Sequence, residues 1–158
     1  TRQQFYKGQA DWAAIADVSR AVAMPVIANG DILGAESARQ ALAQSGTAGA
    51  MIGRGAQGAP WRLAEVAHDL YGHPAPDVPK GRDLADFVTE HYQAILSFYG
   101  TDLGVRIARK HLGWYAAEAS ADPALRAAMM VAPDPARTLT LIDHAFADAP
   151  DRPDRRAA

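Results

Sequence analysis

Two short apolar runs decide the fold, and each ends in a glycine-containing loop: PVIANGD at residues 25–31 and GAMIGRGAQG at residues 49–58. Each run has the length and composition of a strand inside a parallel sheet. The loops carry asparagine, aspartate and glycine, which are residue types that turns require. We therefore predict two buried parallel strands, at residues 25–28 and 49–52, each followed by a turn.

Helical patterns separate and flank the two predicted strands. Apolar side chains recur at helical spacing in three segments: Asp11–Val22, Ala35–Gln44 and Trp61–Tyr71. The order helix, strand, helix, strand, helix is typical of α/β proteins with right-handed parallel crossovers. A strand-to-strand repeat of about two dozen residues suits a TIM (β/α)8 barrel. Since two strands cannot close a barrel of eight, residues 1–72 are either a fragment of such a fold or contain misread strands.

A change of composition follows this α/β part. Residues 73–81 hold three prolines, which favours an extended linker. From residue 82 to residue 148 the periodicity is helical only, which predicts a small all-helical domain. Its helices are expected at four segments: Asp83–Tyr99, Leu103–Ala119, Leu125–Met130 and Pro135–Ala147. Residues 149–158 are polar and rich in proline and arginine, so we expect a disordered tail.

Composition excludes several classes of function. The chain has 158 residues, 16 Lys+Arg, 18 Asp+Glu and no cysteine, so it has no disulfide, no thiolate metal site and no cysteine nucleophile or acid. A net charge of −2 argues against binding nucleic acid or membrane through bulk charge, although a local basic patch remains compatible with it. No apolar run is long enough to cross a bilayer. The chain begins with Thr1 rather than Met, and we expect it to be processed or incomplete.

The loops after the two strands are candidates for phosphate binding. Asn29, Gly30 and Asp31 follow the first strand, and Gly53 and Arg54 follow the second. α/β proteins bind ligands at the carboxyl ends of their strands, where glycine lets backbone N–H groups approach an anion. The Arg54 guanidinium suits phosphate oxygens. The alternative is that both loops are ordinary turns in which glycine and asparagine serve geometry alone.

The segment GRGAQG at residues 53–58 also matches the glycine pattern of dinucleotide-binding folds. That fold requires a second strand that ends in an acidic residue about 20 residues further on. Here this distance leads to Asp77, which lies in the proline-rich linker with no strand around it. The context therefore excludes a Rossmann fold.

A basic stripe marks the second predicted helix of the C-terminal part. Arg106, Arg109 and Lys110 fall on one arc of that helix, with Leu103 and Ile107 beside them toward the expected core. Next to Trp114 and Tyr115, the stripe fits an RNA backbone with aromatic groups for stacking. The alternative is a solvated face beside two core aromatics.

These segments together resemble the bacterial tRNA-dihydrouridine synthases, most closely the B-type branch. The resemblance extends from Thr1 to about residue 147. It rests on several short blocks in the same order: TR at 1–2, FYKG at 5–8, DW at 11–12, PVIANGD at 25–31, MIGRGAQGAPW at 51–61, FYG at 98–100 and RIARKHLGWY at 106–115.

The resemblance implies a cytoplasmic flavin enzyme that acts on tRNA, with no metal and no membrane partner. In this family FMN lies at the mouth of a TIM barrel, is reduced by NADPH, and passes a hydride to C6 of a uridine while a cysteine protonates C5. Five positions match the loops that hold the FMN phosphate: Asn29, Gly30, Asp31, Gly53 and Arg54. Arg106, Arg109 and Lys110 match the part that holds tRNA.

The chain departs from the family pattern at its start. The catalytic cysteine, a flavin-contacting lysine and a histidine of the family would lie upstream of Thr1. The resemblance therefore implies the C-terminal portion of such an enzyme, in which residues 1–72 are the incomplete C-terminal part of an FMN-binding TIM barrel. We expect no catalytic residue in this chain and no activity alone. Two alternatives stay open: another FMN-dependent TIM-barrel oxidoreductase acting on a small molecule, and a non-catalytic RNA-binding or regulatory module.

Overall fold

The computed structural model describes residues 8–147, so the predicted tail at residues 149–158 lies outside the described residues. The chain divides into two compact units between Pro76 and Asp77, a boundary that falls inside the predicted linker. Each unit is considered by itself.

The first unit contains two strands and three helices. Its elements in chain order are α1 (Trp12–Ala21), β1 (Ile27–Asn29), α2 (Ala35–Ser45), β2 (Gly49–Met51), a 3-10 turn (Arg54–Ala56) and α3 (Arg62–Tyr71). The strands pair in parallel, with Ala28 opposite Ala50. Because α2 connects the two parallel strands, this part has the predicted βαβ arrangement.

The ends of these helices follow from local sequence. The Asp11 carboxylate accepts a hydrogen bond from the Ala14 N–H at 3.0 Å, which caps the first turn of α1. Gly46 ends α2 in a left-handed conformation and donates its N–H to the Leu42 carbonyl at 3.0 Å. Asp11 thus fixes where α1 begins, and Gly46 ends α2 before the chain enters β2.

The sheet of the first unit is covered on one face only. The buried core comprises five side chains on the helix-facing side: Ala28, Ile32, Ala38, Ala41 and Val66. On the other face, Ile27 is 52% exposed and Met51 is 50% exposed. The prediction of two buried strands is therefore wrong for this face. Alternate strand residues point to opposite faces, and within the described residues the helices shield only one of them.

The second unit contains four helices and, within the described residues, no strand. They are α4 (Gly81–Tyr99), α5 (Thr101–Glu118), α6 (Pro123–Val131) and α7 (Pro135–Phe146). α4 starts two residues earlier than predicted, so Gly81 belongs to the helix and not to the linker. Proline at the first position after Asp122 and after Asp134 fits the capped starts of α6 and α7.

The core of the second unit lies between α4, α5, α6 and α7. Its fully or almost fully buried side chains include Val88, Tyr92, Leu112, Met129, Ile142 and Phe146. α4 and α5 approach closely at Gly104, where a Cβ atom would lie 2.9 Å from the Leu96 side chain. No helix of the described residues is long and apolar enough to span a membrane.

Candidate functional site

The two predicted phosphate loops lie beside each other. Asn29 is the last residue of β1, and Gly53 comes two residues after the end of β2. Because the strands are parallel neighbours, both loops leave the same edge of the sheet. The Arg54 Nη2 atom is 4.0 Å from the Asp31 Oδ1 atom. The structure thus joins the two loops through an ion pair on side chains that remain largely exposed.

The first loop turns sharply through left-handed backbone. Gly30 has φ +116°, and the next residue, Asp31, has φ +51°, which is uncommon for a residue with a side chain. A Cβ atom at Gly30 would lie 2.7 Å from the Ala10 Cβ atom, so position 30 has no room for a side chain. Glycine is required here for both conformation and space.

Two hydrogen bonds hold the first loop against the chain that enters α1. The Ala10 N–H donates to the Asp31 Oδ2 atom at 2.7 Å, and the Trp12 indole N–H donates to the Gly30 carbonyl at 2.9 Å. From the sequence, Trp12 was predicted as an apolar residue of the first helix and belonged to the DW block of the resemblance. Its indole N–H, a donor that usually finds a partner when it is buried, was the one signal for this second role. Asp31 therefore acts as a structural acceptor within the first loop.

The second loop packs tightly on one side and is open on the other. A Cβ atom at Gly55 would lie 2.2 Å from the Ile32 carbonyl oxygen, and the Arg62 guanidinium donates to the Gly55 carbonyl. At Gly53, by contrast, a Cβ atom would have no neighbour within 4 Å. The 3-10 turn that follows begins at Arg54. The backbone N–H groups of Arg54 and Gly55 lie at its start, where N–H groups have no hydrogen-bond partner within the turn itself.

This arrangement has the chemistry of an anion site. It offers a guanidinium at Arg54, the start of a helical turn and an open approach at Gly53. The Asp31 carboxylate is the one negative group among the five predicted residues, and the Ala10 N–H and Arg54 both lie against it. No group of three or more His, Asp or Glu side chains within residues 8–147 is arranged to hold a metal ion.

The basic stripe on α5 is only partly a surface feature. Arg106 and Lys110 are exposed, whereas Arg109 is half-buried and its Nε atom is buried without a hydrogen-bond partner. Leu103, predicted to lie toward the core, is 43% exposed. This prediction is wrong because a different face of α5 packs into the unit, made of Gly104, Ala108, Leu112, Gly113, Tyr115 and Ala116.

The two aromatic residues next to the stripe have different environments. Tyr115 is buried, its hydroxyl lies 2.9 Å from the His91 Nδ1 atom, and burial raises the pKa of the phenol. It is therefore a core aromatic, as the alternative reading had it, and cannot stack on an RNA base. Trp114 is half-buried, with the Lys110 ammonium 6.0 Å from the centre of its ring.

A pair of histidines connects α4 to α5. The rings of His91 and His111 are 5.2 Å apart edge to face, and the His111 ring is 5.0 Å from that of Trp114. Burial lowers the pKa of His91. Burial also lowers the pKa of His111, with further contributions from the charges of His91 and Lys110. This cluster was not predictable from spacing, because the two histidines lie on different helices.

Comparison with known proteins identifies the relatives of this chain. The family model described as dihydrouridine synthase (Dus) matches residues 1–150. A probable tRNA-dihydrouridine synthase of Rhodobacter capsulatus is 66% identical over 148 residues, which cover 94% of this chain and 45% of the relative. A probable tRNA-dihydrouridine synthase of Rickettsia conorii is 46% identical, covering 85% of this chain and 41% of the relative.

A relative with a more specific name also matches. The tRNA-dihydrouridine synthase B of Xanthomonas axonopodis pv. citri is 43% identical over 141 residues, covering 89% of this chain and 42% of the relative. The chain thus spans less than half the length of each of these three relatives.

Proposed function

Because the chain belongs to the dihydrouridine synthase family, we propose that it forms the C-terminal portion of a flavin-dependent tRNA-dihydrouridine synthase. The complete enzyme reduces the C5=C6 bond of uridines in tRNA to give 5,6-dihydrouridine, in the cytoplasm, with NADPH as reductant. The observation that carries the proposal is the ion-paired junction of two loops at the carboxyl ends of neighbouring parallel strands, with Arg54 and Asp31 4.0 Å apart.

In this proposal β1 and β2 are the last two strands of a TIM barrel. The exposed apolar residues Ile27 and Met51 then face the barrel interior, where side chains of the other strands would cover them. The covered residue Ala28 faces the helices, as alternate barrel residues do. The two loops would form the phosphate site that TIM barrels place after their seventh and eighth strands.

The loop residues fit the phosphate of FMN. Arg54 supplies a forked cation, the open side of Gly53 lets the ligand approach the backbone, and the left-handed turn at Gly30 and Asp31 fixes the first loop. Asn29 offers an exposed amide at the end of β1. When bound and reduced, the flavin supplies the hydride for the uridine ring. This chain contains no cysteine, so the acid that protonates C5 belongs to another part of the enzyme.

The second unit supplies the RNA-binding part, residues 82–148. Exposed Arg106 and Lys110 contact the tRNA backbone, together with half-buried Arg109 of the same helix. Exposed cations on one helix face, in a chain with a net charge of −2, make the affinity local and dependent on salt.

A chimera tests the proposed function. This chain would replace the matching segment of the Rhodobacter capsulatus relative, in cells whose own gene for that relative is deleted, and dihydrouridine would be measured in their tRNA. We expect the chimera to restore dihydrouridine. Arg54→Ala should lower the FMN content of the purified chimera, whereas Arg39→Ala, an exposed arginine on α2, should not. A chimera that folds and binds FMN but forms no dihydrouridine would contradict the proposal.

A further inference from the structure

The chain that enters α1 holds the first loop at three points. The Ala10 N–H donates to the Asp31 carboxylate at 2.7 Å. The Trp12 indole N–H donates to the Gly30 carbonyl at 2.9 Å. A Cβ atom at Gly30 would lie 2.7 Å from the Ala10 Cβ atom, so the two segments are in close contact. Residues 10–12 therefore fix residues 30–31, although most of α1 and the whole of β1 lie between them in sequence.

Trp12 is itself held in place. Its half-buried ring packs against the core of the first unit, and Asp11 caps α1 directly before it. The packing of the ring and the start of the helix together set the direction of the indole N–H. This N–H is therefore a donor that is positioned before any ligand binds.

The hydrogen bond from Trp12 also sets the direction of the next backbone N–H. The Gly30 carbonyl and the Asp31 N–H belong to one peptide unit, which is trans, as are the other peptide bonds of the described residues. In a planar trans peptide the C=O and N–H bonds point in opposite directions. Because the carbonyl is held toward Trp12, the Asp31 N–H points away from it.

The Asp31 N–H is available to an anion. It makes no hydrogen bond to another group within residues 8–147, and Asp31 is exposed. The carboxylate of the same residue lies 4.0 Å from the Arg54 guanidinium, so the N–H and the guanidinium are close to each other. Since Trp12 occupies the Gly30 carbonyl oxygen, an oxyanion that approaches Arg54 from the loop side meets the N–H of this peptide.

We propose that Trp12 is a positioning residue for the flavin phosphate: its indole N–H orients the peptide between Gly30 and Asp31 so that the Asp31 N–H donates to a phosphate oxygen. This inference rests on the proposed function, because FMN supplies the phosphate. A donor that is aimed before binding lowers the cost of ordering the loop when the ligand arrives. Trp12 acts through the loop and needs no contact with the flavin.

FMN and riboflavin separate this role from packing, because riboflavin is the same flavin without the phosphate. Both are titrated into the flavin-free chimera, with flavin fluorescence as the signal. Trp12→Phe should weaken FMN binding about fivefold, as expected for the loss of one hydrogen bond, and leave riboflavin binding unchanged. A side chain that only packs would weaken the binding of both flavins by the same factor.

A second variant removes the donor without changing the shape of the ring. Benzothienylalanine in place of Trp12 keeps the bicyclic ring and has sulfur where the indole has its N–H. It should show the same loss of FMN affinity as Trp12→Phe. Circular dichroism checks that each variant is folded, and the isosteric variant decides the matter if Trp12→Phe is not.

The matched control is Ser19→Ala. It removes another side-chain donor of α1 to a glycine carbonyl, the hydrogen bond from the Ser19 hydroxyl to Gly46 at 3.2 Å. Gly46 lies before β2, at the end of the sheet opposite to the two loops. Ser19→Ala should therefore change the affinity for neither flavin.

Two results would overturn the inference. One is an equal loss of affinity for FMN and riboflavin, which would make Trp12 a packing residue only. The other is FMN binding by the folded Trp12 variants that equals that of the unsubstituted chimera. Both results leave the proposed function intact if the unsubstituted chimera binds FMN and forms dihydrouridine. An unsubstituted chimera that folds without binding FMN would contradict the proposed function and this inference together.

Discussion

The two compact units bury their apolar side chains in different ways. The second unit encloses large side chains such as Tyr92, Ile142 and Phe146 among its four helices. The first unit buries mostly alanine against its helices and leaves Ile27 and Met51 exposed on the other face of the sheet. The difference indicates that the core of the second unit is closed within the described residues, whereas the sheet of the first unit keeps one apolar face open.

The largest expected effect contrasts the two surfaces directly. Phe146→Ala should destabilise the second unit by about 3–5 kcal/mol, because it opens a cavity in a closed core. Ile27→Ala, on the open face, should cost less than about 1 kcal/mol in the isolated chain. Urea denaturation followed by circular dichroism measures both. Equal losses for the two variants would contradict the contrast between a closed and an open core.

The next prediction uses two glycines of the same loop. Gly55→Ala should destabilise the first unit by about 1–3 kcal/mol, because the new methyl group would overlap the Ile32 carbonyl. Gly53→Ala meets open space and should leave stability within about 0.5 kcal/mol. Its effect should appear instead as weaker FMN binding by the chimera. Thermal unfolding of both variants distinguishes the packed side of the loop from the side proposed to bind ligand.

A smaller effect is expected at the contact between α1 and the first loop. Trp12→Phe keeps an aromatic ring but removes the indole N–H that bonds to the Gly30 carbonyl, so it should cost about 1 kcal/mol. Amide hydrogen exchange should show faster opening around residues 29–31, while α4 and α5 keep their protection. Unchanged exchange in this loop would mean that the hydrogen bond does not hold it.

The smallest effect concerns pH and the second unit. The pKa values of His91 and His111 are lowered in the folded chain, whereas a histidine in the unfolded chain titrates near 6.5. Below pH 6.5 the unfolded chain therefore binds protons that the folded chain does not, so stability should fall as pH decreases and level off below the folded pKa values. His91→Gln/His111→Gln should flatten this dependence in urea denaturation between pH 5 and 7.5.

The order and type of the elements were predictable because their signals are local. Asp11 caps a helix through its own side chain, and Gly46 and Gly100 stop helices where periodic apolar residues end. The position of the two loops beside each other was predictable as well, because adjacent parallel strands bring their carboxyl ends together.

The rest depended on contacts between distant residues. The exposure of Ile27 cannot be read from its own run, since burial of a strand face depends on what packs against it. The contact between His91 and His111 arises from the packing of two helices, and spacing within one helix does not reveal it. Nor does the sequence show that Asp31 adopts a left-handed conformation and bonds to Ala10.

The hydrogen bond from Ala10 to Asp31 has a thermodynamic consequence. It draws one carboxylate oxygen toward a backbone donor, while the other faces Arg54 across 4.0 Å. An anion that binds Arg54 would compete with Asp31 for the guanidinium. The Asp31 carboxylate would then depend more on the hydrogen bond that it accepts from the Ala10 N–H. Linkage requires the reciprocal effect, so a tighter Ala10 bond favours the anion in return. The exchange rate of a single backbone proton at Ala10 would thus report occupancy of the loops.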